Sequence, residues 1–92
     1  MREVKIFGET YEVIEQEIID NVVEKIGLID HMQNKIYIKK SLSEDKKKVT
    51  LIHEILHGIL SQLGFDDEHD NEHLIDSLST AIYQVFKSNS LL

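Results

Sequence analysis

The sequence predicts an α+β fold, a small antiparallel or mixed sheet made of two hairpins and followed by two packed helices. Three observations predict it. Apolar and polar residues alternate through the first part of the chain, apolar residues recur at helical spacing from Ser43 onward, and a helix-capping signal stands where the period changes. With 92 residues and 41% hydrophobic content, the chain is read as one domain, residues 1–92, with a single core and no room for a separate substrate domain.

The first hairpin is read from VKIFG (Val4 to Gly8) and TYEVIEQE (Thr10 to Glu17), whose β-branched and aromatic residues suit a pleated surface, with Gly8-Glu9 as the turn. Ile18 to Lys25 is ambiguous between a short helix and a loop, and Gly27 is read as its end. The second hairpin pairs LIDHM (Leu28 to Met32) with KIYIKK (Lys35 to Lys40) across Gln33-Asn34, because asparagine tolerates the left-handed conformation that such turns require. His31 is expected to be a surface strand residue.

The first long helix starts at Ser43, an N-cap residue followed by Glu44 and Asp45 at the positive end of the helix dipole. Its apolar stripe is Ile52, Ile55, Leu56, Ile59, Leu60 and Leu63, and Gly64 is the expected stop. A polar turn, Phe65 to His73, leads into a second helix running to about Lys87. Leu74, Ile75, Leu78, Ala81, Ile82, Val85 and Phe86 are read as its inner face.

Composition removes whole classes of function. The absence of cysteine excludes disulfide scaffolds, thiolate zinc sites, iron–sulfur clusters and cysteine nucleophiles, so any metal must be held by His, Asp or Glu. A net charge of −7 opposes binding to nucleic acid, and the one basic cluster, Lys46-Lys47-Lys48, reads as a solvated helix face behind Glu44 and Asp45. The N-terminus shows no secretory signal and no run is long enough to span a membrane, so the expected location is the cytoplasm. The serines lack the context of a nucleophile elbow.

The segment that carries chemistry is HEILHGIL, His53 to Leu60. Residues four apart lie one above the other on a helix, so His53 and His57 can hold one ion, while Glu54 can reach a water bound to it. That is the general-base arrangement of the HExxH zinc hydrolases. A catalytic zinc site commonly has three protein ligands, and Asp66, Asp67, Glu68, His69, Asp70, Glu72, His73 and Asp76 are the candidates downstream. With the inner stripe centred near Leu78 and Val85, Glu72 lies about 105° from the centre and His73 about 155°, which favours Glu72; His69, in the turn, stays open as the alternative. The metzincin pattern is excluded, because Leu60 and Leu63 stand where it needs glycine and histidine.

NEHLID, Asn71 to Asp76, resembles the NExxxD segment of the thermolysin-like gluzincins, and the whole chain looks like the very small metallopeptidase-like proteins of phages and Gram-positive bacteria, the minigluzincins and the ImmA/IrrE group. The resemblance implies zinc as cofactor, ligands His53, His57 and Glu72, Glu54 as catalytic base, and Asn71 and Asp76 as the residues that orient the histidines. It also implies a peptide or protein substrate and an origin in a phage or mobile element. The domain that supplies an oxyanion donor in larger gluzincins has no counterpart here. Tyr37 and Tyr83 are read as half-buried structural residues rather than its replacements. The expected function is zinc-dependent peptide-bond hydrolysis; the alternative is a zinc-stabilised protein-binding module without catalysis, and a homodimer is compatible with either.

Overall fold

The computed structural model describes residues 2–91. Four strands, β1 (Arg2–Ile6), β2 (Glu9–Gln16), β3 (Gly27–Asp30) and β4 (Lys35–Lys39), precede α1 (Glu44–Leu63), the one-turn α2 (Asp66–His69) and α3 (Glu72–Ser88). The sheet is mixed, in the order β1-β2-β4-β3: β2 and β4 pair in parallel at its centre, and each has its hairpin partner on the outside. The result is the expected α+β arrangement, a four-stranded mixed sheet followed by two packed helices.

Both hairpin turns differ from the sequence reading. In the first, Ile6 pairs with Glu9, so the turn is Phe7-Gly8, one residue earlier than expected. Both residues have positive φ, 51° and 90°, a pair of left-handed conformations that matches the twist of the flanking strands. Glycine takes the second position without steric cost, but phenylalanine at the first cannot be foreseen from turn propensities. In the second hairpin Asp30 pairs with Lys35, and the loop is the four-residue His31–Asn34. The Asp30 carboxylate accepts hydrogen bonds from the backbone N–H groups of Met32 and Gln33 at 2.9 and 3.1 Å, and Asn34 adopts φ 56°. That side-chain-to-backbone turn ends β3 at Asp30, so His31 is an exposed loop residue and not a strand residue.

Ile18 to Lys25 is a loop, closed on itself where Val22 N–H donates to the Ile19 carbonyl and Asp20 and Asn21 take positive φ. Ile19, 1% exposed, pins this loop to the body of the protein. Gly27 does not end a helix; it opens β3.

The core lies between the sheet and α1. Ile6, Tyr11, Ile36 and Ile38 are buried on one face of the sheet, and Leu51, Ile55 and Ile59 of α1 pack against them. Each such isoleucine contributes about 1.5–3 kcal/mol through burial. Helix α1 approaches closely: a Cβ at Gly58 would stand 3.0 Å from Ile6 and Ile29. Its ends are as read, with the Ser43 side chain accepting from Lys46 N–H and Gly64 (φ 82°) donating its N–H to the carbonyls of Leu60 and Ser61.

Of the expected inner face of α3, Ile75 is buried and Leu74 and Ile82 are half-buried, but the face as a whole is rotated. Ile75, Ser79 and Tyr83 are buried, whereas Leu78, Val85 and Phe86, expected in the core, are exposed, Val85 by 52%. Leu63, at the end of the α1 stripe, is exposed too. Polar contacts fix the rotation. Tyr83 donates its hydroxyl hydrogen to the Asp45 carboxylate at one end of α3, and Glu72 and Asp76 meet the α1 histidines at the other. Glu72, Asp76, Ser79 and Tyr83 share one helical row, so turning that row toward α1 turns Leu78 and Val85 away.

Candidate metal centre

Helix α1 sets His53 and His57 on adjacent turns, with their Nε2 atoms 3.1 Å apart. The first residue of α3 completes the group. Glu72 Oε1 lies 3.2 Å from His53 Nε2, and Oε2 lies 3.0 Å from His57 Nε2. Glu72 is in place because Asn71 caps α3, its side chain accepting from Leu74 N–H, which starts the helix beside the α1 histidines. Among the described residues, His53, His57 and Glu72 form the group whose donor atoms converge closely enough to hold a metal ion.

The residues fit such an ion. Bonds of about 2.0–2.1 Å from nitrogen and oxygen donors in a tetrahedral arrangement separate neighbouring donors by roughly 3.3 Å, close to the spacing found here. Two neutral imidazoles and a carboxylate suit zinc, and also iron or manganese. His57 is buried and His53 half-buried, while the Glu72 side chain is 62% exposed, so the group opens to solvent on the Glu72 side. Burial holds the His57 imidazole below its ordinary pKa, opposed by the Glu72 charge and reinforced by His53 and His69. A ring held neutral in this way keeps its lone pair for coordination.

Asp76 Oδ1 stands 2.9 Å from His53 Nδ1 and fixes that ring with its proton on Nδ1 and its Nε2 facing the group. Asn71 does not take the matching role toward His57: its side-chain oxygen accepts from Leu74 N–H, and the side-chain atom facing His57 Nδ1 belongs to His69. His69 is not among the converging donors either; its Nδ1 lies behind His57, 3.2 Å from His57 Nδ1 and 3.1 Å from the His57 carbonyl oxygen. His73 is exposed on α3.

Glu54 is buried beside the group, and its pKa is pushed up to about 7, chiefly by loss of solvent, then by the negative charge of Glu72, with Lys25 opposing. A carboxyl group with a pKa near neutrality can both accept and return a proton. Gly27 makes room for it. A Cβ there would lie 2.7 Å from Thr50 Cγ2 and 2.9 Å from Glu54 Oε2, so only glycine lets the start of β3 come this close to the carboxylate.

Two cavities, of about 550 and 440 Å³, flank the group and share Lys25, Gly27, His53, Glu54 and Glu72, so together they form one cleft. Its far wall is β3, an outer strand of the sheet with one edge unpaired. Lys25, Gly27 and Thr50 belong to this cleft without having been read from the sequence as site residues. Gly27 carried a signal, because an isolated glycine next to a strand marks close backbone approach.

No protein-family model matches the chain, and no curated protein and no solved structure matches it. Among the described residues, no helix is long and apolar enough to cross a membrane. The donor geometry of His53, His57 and Glu72 is what marks a possible metal centre.

Proposed function

We propose that the protein is a zinc-dependent metallopeptidase that hydrolyses peptide bonds, with His53, His57 and Glu72 as ligands and Glu54 as general base. The observation that carries this reading is the convergence of the two Nε2 atoms on both oxygens of Glu72, with a buried carboxyl of near-neutral pKa beside them. When bound, the ion lowers the pKa of a water to about 7 and polarises a carbonyl. Glu54 would take a proton from the attacking water as the oxygen of that water bonds to the peptide carbonyl carbon. The same carboxyl returns the proton to the amine nitrogen as the C–N bond breaks, so one residue serves both halves of the reaction. The unpaired edge of β3 supports an extended peptide substrate, whose backbone would add to the sheet alongside Glu54.

Glu54→Gln tests the mechanism. The amide keeps the shape and cannot take the proton, so zinc content is expected to stay near that of the wild type while cleavage falls by about 10²–10⁴-fold. Full cleavage by a zinc-loaded Glu54→Gln protein would overturn the role of Glu54.

A second reading is favoured by the α1–α3 interface, where Glu72 and Asp76 meet His53 and His57 and few apolar side chains are buried. In that reading zinc chiefly ties the helices together and the protein binds a partner without cleaving it. It gains if chelation unfolds α3 while Glu54→Gln changes neither stability nor binding.

A further inference from the structure

We infer that His69 is a positioning residue that holds His57 in its ligating form, in the place the sequence resemblance gives to Asn71. The inference rests on the metal-binding part of the proposed function and concerns which groups orient its ligands.

The two motif histidines need equivalent support. Each has its Nε2 facing Glu72, so each must carry its single ring proton on Nδ1 when Nε2 is committed to an ion. For His53 the acceptor of that proton is Asp76, at 2.9 Å. For His57 the atom facing Nδ1 is His69 Nδ1, at 3.2 Å, with the two rings nearly perpendicular. Asn71, the residue expected there, directs its side-chain oxygen to Leu74 N–H.

The proton arrangement at the His57–His69 pair follows from donor and acceptor rules. His69 Nδ1 has either a hydrogen or a lone pair to offer. A hydrogen there could serve the His57 carbonyl oxygen, 3.1 Å away, but it would leave two N–H groups facing each other across the pair. A lone pair on Nδ1, with the His69 proton on Nε2, accepts the His57 hydrogen and gives up the bond to the carbonyl, and it is the arrangement that ligation through His57 Nε2 requires. His57 Nε2 is then free to ligate, and its ring is held on one side by Glu72 and on the other by His69.

The placement of His69 depends on α2. Phe65 follows the Gly64 stop, and one helical turn from Asp66 to His69, closed by the His69 N–H to Phe65 carbonyl bond, brings the imidazole back over His57. A connection without this turn would carry the chain from α1 to α3 and leave His57 Nδ1 without a partner.

The test compares wild type, His69→Ala and His69→Asn by zinc competition against a chromophoric chelator and by proton NMR of the imidazole N–H signals. Asparagine places an acceptor oxygen near the position of His69 Nδ1. The expected result is zinc affinity about 10–100-fold weaker in His69→Ala and largely restored in His69→Asn. In the zinc-bound wild type, the His57 Nδ1–H proton is expected to be protected from exchange with water, and that signal to be lost in His69→Ala. Equal affinities in all three proteins with an unchanged His57 signal would overturn the role of His69. So would a zinc-bound wild type in which His69 carries its proton on Nδ1. Failure of the wild type to take up zinc would instead overturn the proposed function, which separates the two.

Discussion

The two faces of α1 are built on different physical terms. The face toward the sheet buries Leu51, Ile55 and Ile59 against Ile6, Ile36 and Ile38, a contact that depends little on pH, salt or ligand. The face toward α3 sets His53 and His57 against Glu72 and Asp76, and its buried α3 residues are Ile75, Ser79 and Tyr83. The first interface is held by apolar burial. The second gathers groups whose interactions change when a proton or a cation arrives, so it is where folding and function are linked.

Breaking the first interface should cost most. Ile36, fully buried at the centre of the sheet, is expected to lose about 2–5 kcal/mol on substitution by alanine, read as a shift of the urea midpoint, with β2, β4 and α1 losing hydrogen-exchange protection together. A loss confined to one element would break the comparison. Zinc should act on the other interface: at free metal about 1,000-fold above Kd it adds about 4 kcal/mol of stability, removable by chelator. Exchange protection is expected to rise chiefly in α3, and a uniform rise across the sheet would erase the distinction between the two faces.

Gly27→Ala sharpens the picture at the cleft. The added Cβ collides with Thr50 and Glu54, which is expected to cost about 1–3 kcal/mol and to lower cleavage while zinc affinity stays near wild type. Ser43→Ala removes the α1 cap and should cost about 1 kcal/mol in thermal or urea unfolding, with no effect on zinc uptake.

The smallest effect concerns the far anchor of α3. Hydrogen bonds from Tyr83 and Lys87 hold the Asp45 carboxyl below its ordinary value of 3.8. A depressed carboxylate contributes stability above its unfolded pKa and loses it as pH falls through the folded value. The stability difference between wild type and Asp45→Asn is therefore expected to be present at neutral pH, to start falling as the pH drops below about 3.8, and to vanish only below the lowered folded value, measured by urea unfolding across that range.

The parts that could be read from the sequence are those encoded locally. Ser43 and Gly64 bound α1 because caps act within a turn of the residues they serve, and His53, Glu54 and His57 follow from helical spacing alone. The parallel pairing of β2 with β4 could not be read so directly, because strand alternation names a buried face and not a partner. Nor could the rotation of α3. Its apolar residues are plentiful on the Leu78–Val85 side, but Tyr83, Glu72 and Asp76 find partners on α1, and those contacts override the pattern. The apolar pattern places Glu72 on the flank of the helix; it lies in the row that faces α1. The sequence leaves His69 open as a ligand, and the unexpected turn of α2 puts it behind one instead.

The two polar ends of α3 also impose a rule of length. Tyr83 follows Glu72 by about three turns, a spacing that returns both side chains to within about 20° of one direction. Phase, and not only residue identity, is therefore under constraint. Deleting or inserting one residue between them would put the ends about 100° out of step. The helix could then serve Asp45 or the histidines, but not both, however well its apolar side chains were preserved.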